Sequence, residues 1–153
     1  AKRIAREIIE QGKKSSIETT AQLAEVVSRA IPEKDKMQRK IHPATKTFQA
    51  IRMHVNNELA HLKAGLAEAL NILSVGGVAA VVTFHSLEDR IVKRMFRESV
   101  VGKDIPDRLP LTQAELRRDY VYVAKLIRPC ENEIRLNPRA RSAKLRAIRR
   151  LAI

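Results

Sequence analysis

The sequence lacks the features that place small proteins in a membrane or in an oxidising compartment. Its single cysteine, Cys130, excludes an internal disulfide and a cysteine-based zinc cluster, and it suits a reducing cytosol. No apolar run approaches the roughly 20 residues that span a bilayer. The first apolar positions are interleaved with charge, unlike those of a signal peptide. The chain is therefore expected to be cytoplasmic.

Aromatic residues are also scarce, at 3% of the chain, and tryptophan is absent. A broad aromatic platform on which single-stranded bases stack is therefore not expected. The sequence likewise contains no Gly-rich phosphate loop, zinc signature or nucleophile elbow. Short motifs of these kinds therefore give no indication of an enzyme class.

Positive charge is what the chain has in abundance. Thirty Lys and Arg face seventeen Asp and Glu, which leaves a net charge of +13. Such an excess favours a polyanionic partner, because phosphate neutralisation releases counterions. A basic surface that only maintains solubility is the alternative. An anionic membrane fits less well, because no helical segment combines a lysine-lined face with a bulky aromatic one. Nucleic acid is the favoured partner.

The hydrophobic fraction of 44% over 153 residues is that of an ordinary globular domain. Apolar spacing predicts a first helix over residues 1–11, ended by Gly12. A second helix begins at a capping box formed by Thr19 and Gln22. Residues 32–40 are expected to form a charged linker.

A continuous apolar stripe, at steps of three or four, covers residues 48–73. The poor helix formers at 56–57 leave two interpretations open: one long helix, or two helices broken there. Three potential metal ligands share a face of this segment: His54, Glu58 and His61. Their spacing is a weak signal without a further His or Cys nearby, so a solvated face is favoured and no metal site is expected.

A change of pattern at Gly76 and Gly77 indicates a turn followed by an α/β unit. The nearly continuous apolar run at 78–84 predicts a strand buried on both faces, as in a parallel sheet covered by helices. Ser86 is predicted to cap the helix that follows. The apolar side of that helix is expected to carry four residues: Leu87, Ile91, Met95 and Val100.

The C-terminal third is less clearly patterned. A proline-containing loop around Pro106 and Pro110 precedes a predicted short helix at 112–118, and 120–127 is a second strand candidate. In residues 143–151 apolar and basic residues alternate, which suits a strand at a sheet edge. The apolar positions there suit a helix equally well, and periodicity does not decide between them.

His85 is a candidate site residue because it follows the predicted strand. In open α/β sheets, ligands bind just outside the carboxyl ends of the strands, and a helix N-terminus there offers free N–H groups to an anion. Position alone slightly favours the alternative, in which Ser86 and Asp89 cap the helix and His85 fills a turn.

A second candidate site is the rigid basic loop at 137–142, which carries Arg139 and Arg141. Arginine matches phosphate oxygens in bidentate fashion, so this loop could clamp a nucleic-acid backbone. A solvated basic segment is the alternative.

Three blocks together resemble the RsmH (MraW) family of ribosomal RNA methyltransferases. They are residues 42–52 (HPATKTFQAIR), 84–94 (FHSLEDRIVKR) and 137–146 (NPRARSAKLR). Their length and order make them far more specific than a short motif. One departure is Val75, where methyltransferases commonly carry proline before the two glycines; it concerns the turn only.

The resemblance implies methylation of the exocyclic N4 of a cytidine in 16S ribosomal RNA of the small subunit, with S-adenosylmethionine as donor. It implies an α/β fold: the C-terminal part of a class I, Rossmann-like methyltransferase sheet plus part of a helical insertion domain for substrate recognition. Residues 1–55 would be the end of that insertion, and 56–153 the C-terminal part of the methyltransferase domain. This tips residues 143–151 towards a strand.

With this function in view, we expect His85 to lie at the rim of the active site and Arg139, Arg141 and Lys144 to contact RNA. The residues that bind the cofactor in this family would all precede Ala1. The chain has no initiating Met and begins directly in a helical pattern. We therefore expect a segment of a longer protein that alone neither binds the cofactor tightly nor turns over. Its exposed sheet edges would invite self-association.

Two readings of another class stay open. The chain could be a non-catalytic module that binds RNA or the ribosome. It could also be a helical interaction protein whose basic surface only keeps it soluble.

Overall fold

The computed structural model describes residues 1–32, 42–102 and 119–152. The chain divides into two compact units, Ala1–Glu58 and Leu59–Ile153. The first is helical and the second is mixed α/β, so the α/β class predicted from the sequence is confirmed at that level. Most of the predicted charged linker, the proline-containing loop and the short helix at 112–118 lie outside the described residues.

The first unit contains helices α1 (Lys2–Lys14), α2 (Thr20–Arg29) and α3 (Thr45–Val55). The predicted capping box of α2 is confirmed: the Thr19 hydroxyl accepts from the Gln22 backbone N–H, and the Gln22 side chain accepts from the Thr19 N–H. The predicted end of α1 at Gly12 is wrong. An exposed glycine inside a helix costs only about 1 kcal/mol, and the helix continues to Lys14.

The apolar stripe over residues 48–73 forms two helices, as one of the two interpretations held. Helix α3 ends at Val55, and α4 spans Glu58–Ile72. Between them Asn57 adopts a φ of 54°, in the left-handed region that asparagine tolerates better than most residues. The two asparagines therefore mark the break.

The second unit builds a three-stranded sheet from β1 (Val78–Thr83), β2 (Tyr120–Ile127) and β3 (Lys144–Arg150). The order is β1-β3-β2, and β3 runs antiparallel to both neighbours. The ambiguous C-terminal segment is thus a strand, but it lies in the centre of the sheet and not at its edge. Its side chains alternate between the face on which α4 and α5 pack, where Ile148 is buried in the core, and the opposite face.

The prediction that β1 is buried on both faces of a parallel sheet is wrong. Ala79 and Val81 pack against the core, whereas Val78 and Val82 are 44% and 50% exposed on the other face. An apolar run does not reveal how many of its faces are covered. Among the described strands β1 is an edge strand; the expectation that its free edge pairs with another chain stays a prediction.

Helix α5 (Ser86–Val101) packs on this sheet. Two short helices come later in the chain, α6 (Glu131–Leu136) and a 3-10 helix (Pro138–Ser142). The buried side of α5 carries Asp89, Val92, Phe96 and Val100. Of the four residues predicted for that side only Val100 is buried, and Leu87 is 38% exposed. The predicted face was wrong because a buried carboxylate, Asp89, occupies it.

The core of the second unit lies between α4, α5 and the sheet. Its buried members are Leu66, Leu70, Val92, Phe96, Val100 and Ile148. The Tyr120 hydroxyl donates to the Leu70 backbone oxygen at 2.7 Å, which ties β2 to α4. None of the helices in the described parts of the chain is both long and apolar enough to cross a membrane.

Candidate functional site

The candidate site lies where β1 leads into α5. His85, and not Ser86 as predicted, is the N-cap of the helix, and its Nδ1 accepts from the Glu88 backbone N–H at 3.4 Å. The Glu88 carboxylate accepts in return from the backbone N–H groups of Phe84 at 3.0 Å and His85 at 3.4 Å. This is a capping box with histidine in place of serine or threonine. It holds His85 rigidly at the carboxyl end of β1.

The His85 imidazole is largely enclosed, with 16% of its side chain exposed. Because Nδ1 accepts a hydrogen bond, a neutral ring carries its proton on Nε2. That nitrogen lies 2.9 Å from Glu88 Oε1 but makes no hydrogen bond to any described residue. The structure thus shows the capping role of His85, and its ring lies against the Glu88 carboxylate at the carboxyl end of β1.

Next to this cap, Asp89 joins α5 to the central strand. Its carboxylate receives Arg146 Nε at 2.8 Å and Lys144 Nζ at 2.9 Å, with Arg146 Nη2 at 3.3 Å. The side chain of Asp89 is 11% exposed, as is that of Arg146. A carboxylate with two cationic partners is suited to burial at this depth.

The electrostatics of this cluster favour the ionised carboxylate. Hydrogen bonding from Arg146 lowers the pKa of Asp89 below its usual value, against the raising effect of burial, and Lys144 lowers it further. Asp89 is therefore a stable anion at the start of α5, where the helix dipole also favours negative charge. A capping role was the only one that the sequence suggested for Asp89. A charged residue at a helical spacing from Val92 and Phe96 was the signal for a buried ion pair.

The predicted RNA contacts occupy two different environments. Arg139 and Arg141 lie on the 3-10 helix, where both are exposed on either side of the buried Ala140. Asn137 accepts from the Arg139 backbone N–H and caps this segment at its start. Lys144, by contrast, is bound to Asp89 and has 29% of its side chain exposed. Two of the three predicted cations therefore face solvent, and the third is part of the buried cluster.

The structure bears on metal and cofactor binding as well. Among residues 1–32, 42–102 and 119–152 no three His, Cys, Asp or Glu side chains converge to hold a metal ion. In doubly wound folds a nucleotide cofactor is held by a glycine-rich turn that follows a strand. The glycines adjoining a described strand, Gly76 and Gly77, precede β1 instead. Among the described residues, no glycine-rich turn follows a strand.

Comparison with known proteins gives the family. A sequence model of the MraW methylase family matches residues 1–151. The ribosomal RNA small subunit methyltransferase H of Nitrosococcus oceani is 51% identical over 146 residues, which cover 95% of this chain and 45% of that relative. The chain thus spans less than half the length of the curated relative that it matches. Since the family match extends over nearly every residue, including those at 84–94 that build the cap and the Asp89 cluster, the chain belongs to the MraW methylase family.

Proposed function

We propose that this chain supplies the C-terminal part of a methyltransferase that uses S-adenosylmethionine to methylate the N4 amine of a cytidine in 16S ribosomal RNA. The observation that carries the proposal is the identity of 51% over 146 residues with a protein named ribosomal RNA small subunit methyltransferase H. All three sequence blocks at 42–52, 84–94 and 137–146 lie within the region matched by the family. The N4 position and the donor come from the family resemblance.

The proposed fold of the whole protein is a class I, Rossmann-like sheet with a helical insertion. The sheet order supports it, because the last strand, β3, is antiparallel to both neighbours, so that β1 and β2 run in the same direction. Residues 1–55 would belong to the insertion and 56–153 to the methyltransferase domain. The division of the chain into units at Glu58 supports that boundary.

We assign His85 to the rim of the active site. The N4 amine is a poor nucleophile because its lone pair is conjugated into the ring, so the enzyme has to align it with the methyl group. His85 lies at the carboxyl end of β1, where ligands of such sheets bind. Its fixed placement by the capping box supports a contact of the residue with the target base or its phosphate.

The test completes the protein and measures methyl transfer. The chain is co-expressed with the preceding part of the Nitrosococcus oceani relative, and transfer from labelled S-adenosylmethionine to unmethylated 30S subunits is followed. We expect transfer by the completed enzyme, and a loss of about tenfold or more in rate for His85→Ala, since small losses of alignment are costly.

The variant His85→Asn separates the two roles of the residue. Asparagine is among the best N-cap residues, so it keeps the helix cap but removes the imidazole. Equal loss of activity in both variants assigns a chemical or contact role to His85. Full activity of His85→Asn would reduce His85 to a capping residue.

The second candidate is a non-catalytic module that binds RNA or the ribosome. It is favoured by the net charge of +13, which suits a polyanionic partner. Binding of 30S subunits together with no methyl transfer by the completed protein would establish it. Tight calorimetric binding of S-adenosylmethionine to the 153-residue chain alone would contradict our expectation that the cofactor is held elsewhere.

We further propose that Arg139 and Arg141 contact RNA phosphates. Replacing both with glutamine should weaken binding to 16S ribosomal RNA and lower the slope of log affinity against log salt by about 1.4 to 1.8, because two phosphate contacts are lost. Arg135 and Lys63, which are also exposed, provide the control pair with the same change of charge. Equal salt slopes for the two double variants would contradict the assignment.

A further inference from the structure

Helix α5 carries a second set of cations that the sequence analysis did not single out. The four residues are Arg90, Lys93, Arg94 and Arg97. At 100° per residue they fall within an arc of about 100° on the helix surface. We call this arc the α5 basic flank. Arg90, Lys93 and Arg94 are exposed, and Arg97 is partly buried.

The position of the flank is fixed by the packing of the helix. Val92 and Phe96 are fully buried against the sheet, so α5 cannot rotate to hide its cations. The flank begins five residues after His85 and extends about 10 Å along the axis, from Arg90 to Arg97. It therefore leads away from the candidate site along a rigid element.

Tyr122 on β2 lies in the positive field of these cations. Burial raises the pKa of Tyr122, and the positive charge of Arg97 opposes that shift. On the same strand, Lys125 Nζ lies 5.6 Å from the centroid of the Tyr122 ring.

The acidic residues of α5 do not neutralise the flank. Glu88 and Asp89 are engaged in the helix cap and in the pairs with Lys144 and Arg146. Glu98 lies 3.6 Å from Arg94, but this pair is solvent-exposed and such pairs contribute at most about 1 kcal/mol. The exposed side chains of Arg90 and Lys93 are therefore available to a ligand.

We propose that the α5 basic flank is a docking surface for the phosphate backbone of folded RNA whose target nucleotide reaches the His85 site. The inference rests on the proposed function, and it names where the substrate lies on this half of the protein. Lys and Arg side chains held at fixed spacing contact the phosphates of a nucleic acid and position its backbone, independently of its sequence.

Other partners fit the flank less well. The anchors of protein interfaces, among them Trp, Tyr and Arg, cluster in well-packed, desolvated pockets, whereas the flank contains no aromatic residue and Arg90, Lys93 and Arg94 are exposed to solvent. A membrane-binding helix inserts its apolar face, whereas the apolar face of α5 is buried in the core of its own unit. Phosphate is the group that the flank matches.

The test compares two variants of the 153-residue chain that lose three positive charges each. The flank variant is Arg90→Gln/Lys93→Gln/Arg94→Gln. The control replaces three exposed cations on separate elements, Lys14, Lys63 and Arg135, with glutamine. Binding to labelled 16S ribosomal RNA is measured between about 50 and 200 mM salt, where phosphate contacts dominate the affinity, and circular dichroism verifies that both variants are folded.

The flank variant should lower the slope of log affinity against log salt by about 2 to 3, and the control variant by clearly less. The three single substitutions, which perturb folding least, should each produce about a third of that change. Equal slopes for the flank and control variants overturn the inference, as does a wild-type chain that does not bind the RNA. If the flank slope falls while the completed enzyme fails to methylate, the docking surface stands and the proposed function fails.

Discussion

Replacing Phe96 with alanine is expected to lower the free energy of unfolding of the second unit by about 3 to 5 kcal/mol. Phe96 is fully buried on α5 and packs in the cluster that contains Leu70, Val92 and Ile148. The substitution removes the transfer free energy of the ring and leaves a cavity between helix and sheet. Since whole domains are stable by only about 5 to 15 kcal/mol, a large part of the stability is lost.

The chain contains a matched control for this experiment. Phe84 is the same residue type, two residues before α5, and 55% of it is exposed. Phe84→Ala should therefore cost much less in urea or thermal unfolding followed by circular dichroism. Comparable losses for the two variants would show that the core does not lie where the structure has it. A small loss for Phe96→Ala alone would lead to the same conclusion.

Local patterns were enough to place several elements of this fold. The pattern left the break at 56–57 open, as one of two interpretations. The capping box at Thr19 and the strands beginning at Val78 and Tyr120 each depend on a few neighbouring residues. Side-chain hydrogen bonds to the backbone and conformational preferences act over that same short range. These features were therefore predictable without tertiary information.

Features that depend on which face is covered were not predictable in the same way. The sequence predicted that β1 is buried on both sides, whereas Val78 and Val82 are exposed on the face opposite the helices. The predicted orientation of α5 on the sheet was wrong for a related reason. Apolar spacing favoured the side with Leu87, but Asp89 is buried because two cations meet it from β3.

The candidate site shows the same division between local and distant interactions. His85 could be located because it follows a predicted strand, and its capping box with Glu88 is a contact between near neighbours. The Asp89 cluster joins residues that are 55 and 57 positions apart in sequence. Nothing in the spacing of Lys144 and Arg146 indicated that they would meet an acid on another element. Lys144 was expected to contact RNA, and its pairing with Asp89 indicates a structural contribution.

Replacing Asp89 with asparagine is expected to lower the free energy of unfolding at neutral pH by about 3 kcal/mol. Removing one partner of a buried ion pair leaves the others without a counter-charge, which typically costs 3 to 5 kcal/mol. The lower end applies because 29% of the Lys144 side chain is exposed to solvent. Glu98→Gln, which neutralises a more exposed carboxylate on the same helix, serves as the control and should change stability little.

The pH dependence of this loss gives the sharper test. The pKa of Asp89 is lowered in the folded state, chiefly by the hydrogen bond from Arg146. In an unfolded chain an aspartate has a pKa of about 3.9. The stabilisation by the ionised carboxylate is therefore fully present above that value and is lost as the pH falls through the lowered folded pKa. The stability difference between the wild-type chain and Asp89→Asn should be constant from neutral pH down to about 5, and then narrow on further acidification. A difference that is unchanged across the acid range would mean that the Asp89 charge does not stabilise the link between α5 and β3.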